Sequence, residues 1–126
     1  MGLEPDTLSV DCADVIRVAG FWADALGWEA VEPDPAGTFV RDPSGRHAGI
    51  FFQPVPEPKT AKNRRHLDVR PTGSMAEEVA RLKMLGATER GFIEVVGSFW
   101  TQMRDPEGNE FCVLRGPEDG WTPDEL

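Results

Sequence analysis

A chain of 126 residues, 40% of them hydrophobic and 28% charged, is long enough to bury one core and too apolar to be read as disordered. A formal net charge of −9 argues against nucleic acid, which calls for a basic face, and no apolar run approaches the ~18 residues of a membrane span. The N-terminal stretch MGLEPDTLSV carries no basic region ahead of an apolar one, so no secretory signal is expected, and Cys12 and Cys112, with no CxxC between them, read as reduced thiols in a cytoplasmic protein.

From Thr7 to Cys12 the chain alternates, with Leu8, Val10 and Cys12 on one face, which predicts a half-buried strand. Asp14 is a candidate N-cap for a helix from Val15 to Leu26, whose apolar residues fall at helical spacing and whose end is marked by Gly27. Trp22 lies on that stripe and is expected in the core. Short strands follow at 28–32, 38–41 and 48–53, broken by Pro33, Pro35 and Gly37 and then by the turn Arg41-Asp42-Pro43-Ser44-Gly45. Pro54, Pro56 and Pro58 cannot continue a central strand and predict a stiff connector over 55–65, in which Lys59, Lys62, Arg64 and Arg65 form a local basic run.

The second half opens on the strand His66 to Arg70, in which His66, Asp68 and Arg70 share a face. Ser74 and Glu77 make a capping box for a helix that buries Met75, Val79, Leu82 and Leu85 and stops at Gly86. Strands are predicted at 88–92, 99–103 and 110–114, and the acidic, Gly- and Pro-containing tail 116–126 is expected to be loose, apart from Trp121, which could rest on the body.

The two halves repeat one another. Arg104-Asp105-Pro106-Glu107-Gly108 echoes Arg41-Asp42-Pro43-Ser44-Gly45, with the aspartates 63 positions apart (105 − 42). In both copies Pro fixes φ and Gly accepts φ > 0, which predicts a hairpin. The helix endings Leu26-Gly27 and Leu85-Gly86 recur 59 apart (85 − 26) in the same order. Two copies of one supersecondary unit follow, each of about 60 residues and too small to stand alone. The expected organisation is a single domain, 1–126, made of repeat unit one (7–54), a linker (55–65), repeat unit two (66–115) and a tail (116–126). Each helix can cover one face of its sheet only, so the other face, which carries Thr7, Ser9, Asp11, Gln53, His66, Asp68 and Arg70, is expected to line an open cavity for a small molecule.

Paired β-α-β-β-β units, an Asp-led helix ending in Leu-Gly-Trp, a DP-x-G hairpin before each last strand and a His opening the second unit resemble the vicinal oxygen chelate superfamily, which includes glyoxalase I, bleomycin-resistance proteins and extradiol dioxygenases. The stretch PVPEPKTAKNRRHLDVR and the ending DPEGNEFCVL are similar to its small glyoxalase-like branch. The resemblance implies an α+β fold, two β-α-β-β-β units forming a curved mixed sheet around an open cavity, and a homodimer. It also implies four positions that converge on a divalent metal in metal-binding members; these fall on Thr7, Gln53, His66 and Cys112. A hydroxyl, an amide, an imidazole and a thiol make a poor set for a hard ion, so no tightly held metal is expected, although Asp11 or Asp68 could substitute.

Individual residues carry two readings each. His66 is a candidate general acid or base oriented by Asp68, or a hydrogen-bonded cavity residue. Cys112 is a candidate nucleophile or a small buried thiol. The resemblance implies that Trp100 and Gln102, with Phe39 at the matching position of the first half, face the pocket, where Trp100 would stack on a flat ligand or simply pack. The basic run would draw an anionic ligand or be a solvated linker. The resulting expectation is a protein that binds a small organic molecule through Phe39, Gln53, His66, Asp68, Trp100, Gln102 and Cys112, with no assigned catalytic residue. The alternative is a lyase- or isomerase-type enzyme, with or without a divalent metal, using His66.

Overall fold

Both helices are fixed at their ends by the residues the sequence marks. In the computed structural model, which describes residues 2–124, helix α1 spans Val15–Leu26, and the Asp14 carboxylate accepts a hydrogen bond from the Arg17 amide at 3.2 Å. Helix α2 spans Met75–Leu85, and the Ser74 hydroxyl accepts from the Glu77 amide, also at 3.2 Å. Each cap satisfies an amide that the first turn leaves without a helical partner. Gly27 and Gly86 end the helices with φ of 66° and 117°, a region where a β-carbon is strained.

The chain divides into two compact units, Met1–Thr60 and Ala61–Leu126. In the first, strands β1 (Leu8–Cys12), β2 (Glu29–Val31), β3 (Thr38–Arg41) and β4 (Ile50–Pro54) form a mixed sheet ordered β1-β4-β3-β2, with β1 parallel to β4 and the other pairs antiparallel. In the second, β5 (Leu67–Val69), β6 (Thr88–Val95), β7 (Ser98–Arg104) and β8 (Glu110–Leu114) are ordered β5-β8-β7-β6 with the same pattern of directions. The α+β architecture of two β-α-β-β-β units is therefore present as two four-stranded sheets, neither closed into a barrel.

Alternation along the strands decides which face each helix covers. In the first unit Val18, Ala19 and Trp22 of α1 are buried with Val40, Ile50 and Phe52 of the sheet, so Trp22 is core. In the second, Met75, Val79 and Leu82 of α2 are buried with Met103, Phe111 and Val113. Apolar burial of this kind, at ~25 cal/mol per Å² removed from water, is the main stabilising term in each unit.

The repeated turn is one structure made twice. Asp42 Oδ1 accepts from the Ser44 amide and hydroxyl and its Oδ2 from the His47 amide, while the Gly45 amide donates to the Asp42 carbonyl. Asp105 Oδ1 accepts from the Glu107 and Asn109 amides, its Oδ2 from the Asn109 side chain, and Gly108 closes the turn on the Asp105 carbonyl. Both carboxylates are buried, at 6% and 4% exposure, so each is a structural anion tied down by turn amides.

Two expectations are corrected. The hairpin strand predicted at 88–92 runs on through Val95, because Val96 and Gly97, with Gly97 at φ 81°, make a two-residue turn directly into β7. The described part of the tail is not loose. Residues 117–119 form a 3-10 turn whose Asp119 carboxylate accepts from the amides of Met75 and Gly116, at 2.7 and 2.9 Å, and Arg70 stacks over the Trp121 ring at 4.1 Å. Its polar composition serves hydrogen bonds to the α2 N-terminus, where an anion is favoured by the helix dipole. Residues 125 and 126 of the predicted tail lie outside the described residues.

Candidate functional site

The face of each sheet turned away from its helix holds the predicted site residues. In the second unit the register sets Asp68 opposite Cys112, Cys112 opposite Gln102 and Gln102 opposite Gly91, one row running across all four strands. Trp100, opposite Leu114 and Ile93, stands in the next row of the same face. His66 sits one residue ahead of β5, and its Nδ1 lies 3.2 Å from Asp68 Oδ1 and 4.0 Å from Cys112 Sγ. His66 and Asp68 are open to solvent, with side chains 38% and 50% exposed, whereas Cys112 is buried.

This arrangement sets the chemistry of the thiol. Burial, and after it the negative charge and hydrogen bond of Asp68, push the Cys112 pKa up to about 11, with Lys62 acting in the opposite direction. At neutral pH Cys112 is a neutral thiol and a poor nucleophile. Asp68 also holds the His66 ring, with its carboxylate 3.2 Å from Nδ1.

In the first unit the corresponding face carries Ser9, Asp11, Phe39, Phe51 and Gln53. Asp11 is opposite Gln53, whose side-chain amide donates to the Asp11 carboxylate at 2.7 Å. Phe39 lies against Gly49, where a β-carbon would run into its ring and would stand 2.8 Å from the Val40 carbonyl oxygen. Thr7 precedes β1 and donates from its hydroxyl to Asp6 at 2.8 Å. Of the four positions that the resemblance assigns to a metal, His66 and Cys112 therefore meet in the second unit, with Asp68 beside them, while Thr7 and Gln53 belong to the first and are engaged with carboxylates there.

An imidazole, a carboxylate and a thiol whose donor atoms all lie within 4.8 Å of one another form a candidate metal-binding group, the one formed by His, Cys, Asp and Glu among the described residues. Nitrogen, oxygen and sulfur donors in that number suit Zn²⁺ with an open fourth position, and the thiol disfavours Mg²⁺ or Mn²⁺. The donor set fits a borderline ion, at the cost of removing a proton from a thiol whose pKa is about 11.

Sequence reasoning missed Arg90. A β-bulge between Glu89 and Gly91 leaves Arg90 without a partner residue in the ladder, and its guanidinium donates to Gln102 Oε1 at 2.9 Å. The signal in the sequence was an Arg followed by Gly in the middle of a strand pattern, a place where bulges form.

Comparison with known proteins agrees with this architecture. No functionally curated protein matches the chain. Among solved structures, a mutant of the fosfomycin resistance protein FosX from Listeria monocytogenes, complexed with Mn(II) and 1S,2S-dihydroxypropylphosphonic acid, superimposes with a TM-score of 0.73 at 15% identity over 92% of each chain. A protein from Agrobacterium tumefaciens gives 0.72 at 16% identity, covering 90% of this chain and 98% of its own. A glyoxalase/bleomycin resistance protein/dioxygenase family enzyme from Burkholderia phytofirmans gives 0.68 at 17% identity, covering 86% and 97%. At such identities these likenesses speak for the fold. No helix among the described residues is long and apolar enough to cross a membrane. The glyoxalase-like domain model matches residues 7–114, from the start of the first repeat to the end of β8, and the chain belongs to the glyoxalase-like domain family.

Proposed function

We propose that this protein binds a small organic molecule on the open face of its second sheet, with Asp68, Cys112, Gln102 and His66 as the polar groups and Trp100 as the apolar wall. The supporting observation is the row Asp68, Cys112, Gln102, in which three side chains able to give or accept hydrogen bonds share a sheet face with a half-buried Trp. A few convergent polar groups beside an aromatic surface are what a small-molecule site offers. Phe39 and Gln53 present the corresponding aromatic and amide groups in the first unit. Cys12 and Cys112 are not joined in a disulfide, which accords with a reducing, cytoplasmic setting, and we take the working form to be a homodimer.

A second reading rests on the His66, Asp68 and Cys112 group. With Zn²⁺ held there, the ion would act as a Lewis acid on a ligand oxygen, as in a lyase or isomerase. His66 and Asp68 would then serve as ligands, and the buried thiol would first have to lose its proton.

The deciding experiment is the metal content of protein purified without chelator or immobilised metal, followed by melting curves with Zn²⁺, Ni²⁺ and Mn²⁺. The leading reading expects no stoichiometric metal and no large shift. Near-stoichiometric metal, or a shift that His66→Ala abolishes, would overturn it in favour of the second. Sedimentation of the purified chain checks the dimer.

A further inference from the structure

Two cations flank the row of polar residues on the second sheet, and each is put there by a feature that the small-molecule reading does not use. On one side, the Asn63 amide donates to Glu110 Oε1 at 2.8 Å; Glu110 is 8% exposed and begins β8, two residues before Cys112. This bond ties the basic segment to the start of β8, and the charge of the neighbouring Lys62 is felt at the Cys112 thiol. On the other side, the bulge in β6 adds one residue, Arg90, between those that pair with Met103 and Gln102. Gln102 is the register partner of Cys112, so the guanidinium is held at the residue next to the thiol in that row.

Several other cations of this unit are already engaged. Lys83 pairs with Glu89, Arg81 with Glu78 and Arg104 with Glu110, while Arg70 donates to the Arg115 carbonyl. Among the described residues of the unit, neither Lys62 nor Arg90 is paired with a carboxylate. Gln102 takes one N–H of Arg90, which orients the planar fork without neutralising it. A fork with free parallel N–H groups matches the two oxygens of a carboxylate. In a chain of net charge −9 such a ligand is repelled at long range, and beyond about 8–10 Å that repulsion is screened by physiological salt, so local cations decide the contact.

We infer that the ligand of this face is a small organic carboxylate, its acid group taken by Arg90 and Lys62 and its apolar body lying along Trp100. The inference rests on the proposed small-molecule site and names its ligand class.

The test uses matched acids and primary amides: phenylacetate and phenylacetamide, indole-3-acetate and indole-3-acetamide, butyrate and butyramide, titrated into the full chain by ligand-observed NMR and calorimetry. At least one acid is expected to bind about tenfold or more tightly than its amide, the size of a charge-assisted hydrogen bond. Arg90→Gln should remove that ratio, Arg90→Lys should keep part of it, and Lys62→Gln should lower acid affinity a few-fold, more at low salt. Lys83→Gln should change nothing. Melting temperature and amide spectra of the Arg90 variants check that the exposed bulge still folds. If acid and amide bind alike, or Arg90→Gln leaves their ratio intact, the carboxylate inference falls; the small-molecule site then survives if Trp100→Ala weakens both. If none of the six compounds binds, both fall.

Discussion

The two repeats put an aspartate at the same point of their open faces and answer it differently. In the first unit Asp11, on the strand before the helix, meets Gln53 on the last strand, and the amide satisfies the carboxylate at 2.7 Å. In the second unit Asp68 and Cys112 occupy the same register positions, and a histidine joins them at 3.2 Å from the carboxylate. One site is a hydrogen bond from an amide to a carboxylate. The other gathers an acid, a base and a thiol whose proton is held past its usual range. A scaffold built twice thus puts different side chains at matching positions, because the backbone register fixes where side chains meet and the residue types decide what they can do there.

That contrast can be tested first where the units differ most in packing. Gly116, at the start of the docked tail, has no counterpart in the first repeat, and a β-carbon there would run into the Gly73 carbonyl and lie 3.2 Å from Pro71. Gly116→Ala is expected to cost roughly 1–3 kcal/mol by overpacking against backbone, and to raise hydrogen exchange at Met75, whose amide is held by Asp119. An unchanged melting temperature would mean that the tail is not part of the second unit's fold.

The next comparison is between the two turn carboxylates. Asp105→Ala should destabilise by roughly 1–3 kcal/mol, since two amides and one side chain lose a buried acceptor, and Asp42→Ala should act in the same direction. The Ser44 hydroxyl, and after it the amides of Ser44 and His47 and the His47 charge, hold the Asp42 carboxyl below its ordinary 3.8 against the opposing effect of burial. Its contribution is therefore full above that value and is lost as pH falls through the lowered one, so acid melts should show Ser44→Ala losing less stability than wild type below about pH 4. If only one of the two turns proved sensitive, the repeats would not be energetic equivalents.

A smaller effect separates the two open faces directly. Iodoacetamide should label Cys112 slowly at about pH 8, and faster as pH approaches about 11, followed by peptide mass spectrometry. Asp68→Asn removes the charge that opposes the thiolate and should shift that profile to lower pH. The same protonation controls Zn²⁺: any affinity at this group should rise about tenfold per pH unit below the thiol pKa, because one proton leaves as the metal enters. The smallest change is expected for Gln53→Ala, which removes an exposed hydrogen bond from the first unit's face and should move the melting temperature by no more than a degree or two, about 0.5 kcal/mol. A large loss there would show that the first face carries more of the stability than its geometry suggests.

Much of this molecule is written within a few residues of where it acts. Asp14 and Ser74 cap the helices they precede, Gly27 and Gly86 end them, and the Asp-Pro-x-Gly turns fold on themselves, all through contacts spanning five residues or fewer. Alternation and helical spacing then sort the buried faces, and with the repeat they fix an α+β chain of two β-α-β-β-β units, with His66, Asp68, Trp100, Gln102 and Cys112 on strands or beside them. Tertiary structure decided what local rules do not reach. That Asp68 stands over Cys112, that Arg90 swings to Gln102 through a bulge, that Glu110 holds Asn63 and that Asp119 caps the second helix are bonds between residues 12 to 47 positions apart. Their partners are chosen by strand register and by the close packing of each unit, to which distant segments contribute together, so they follow from the fold and not from any one stretch of the chain.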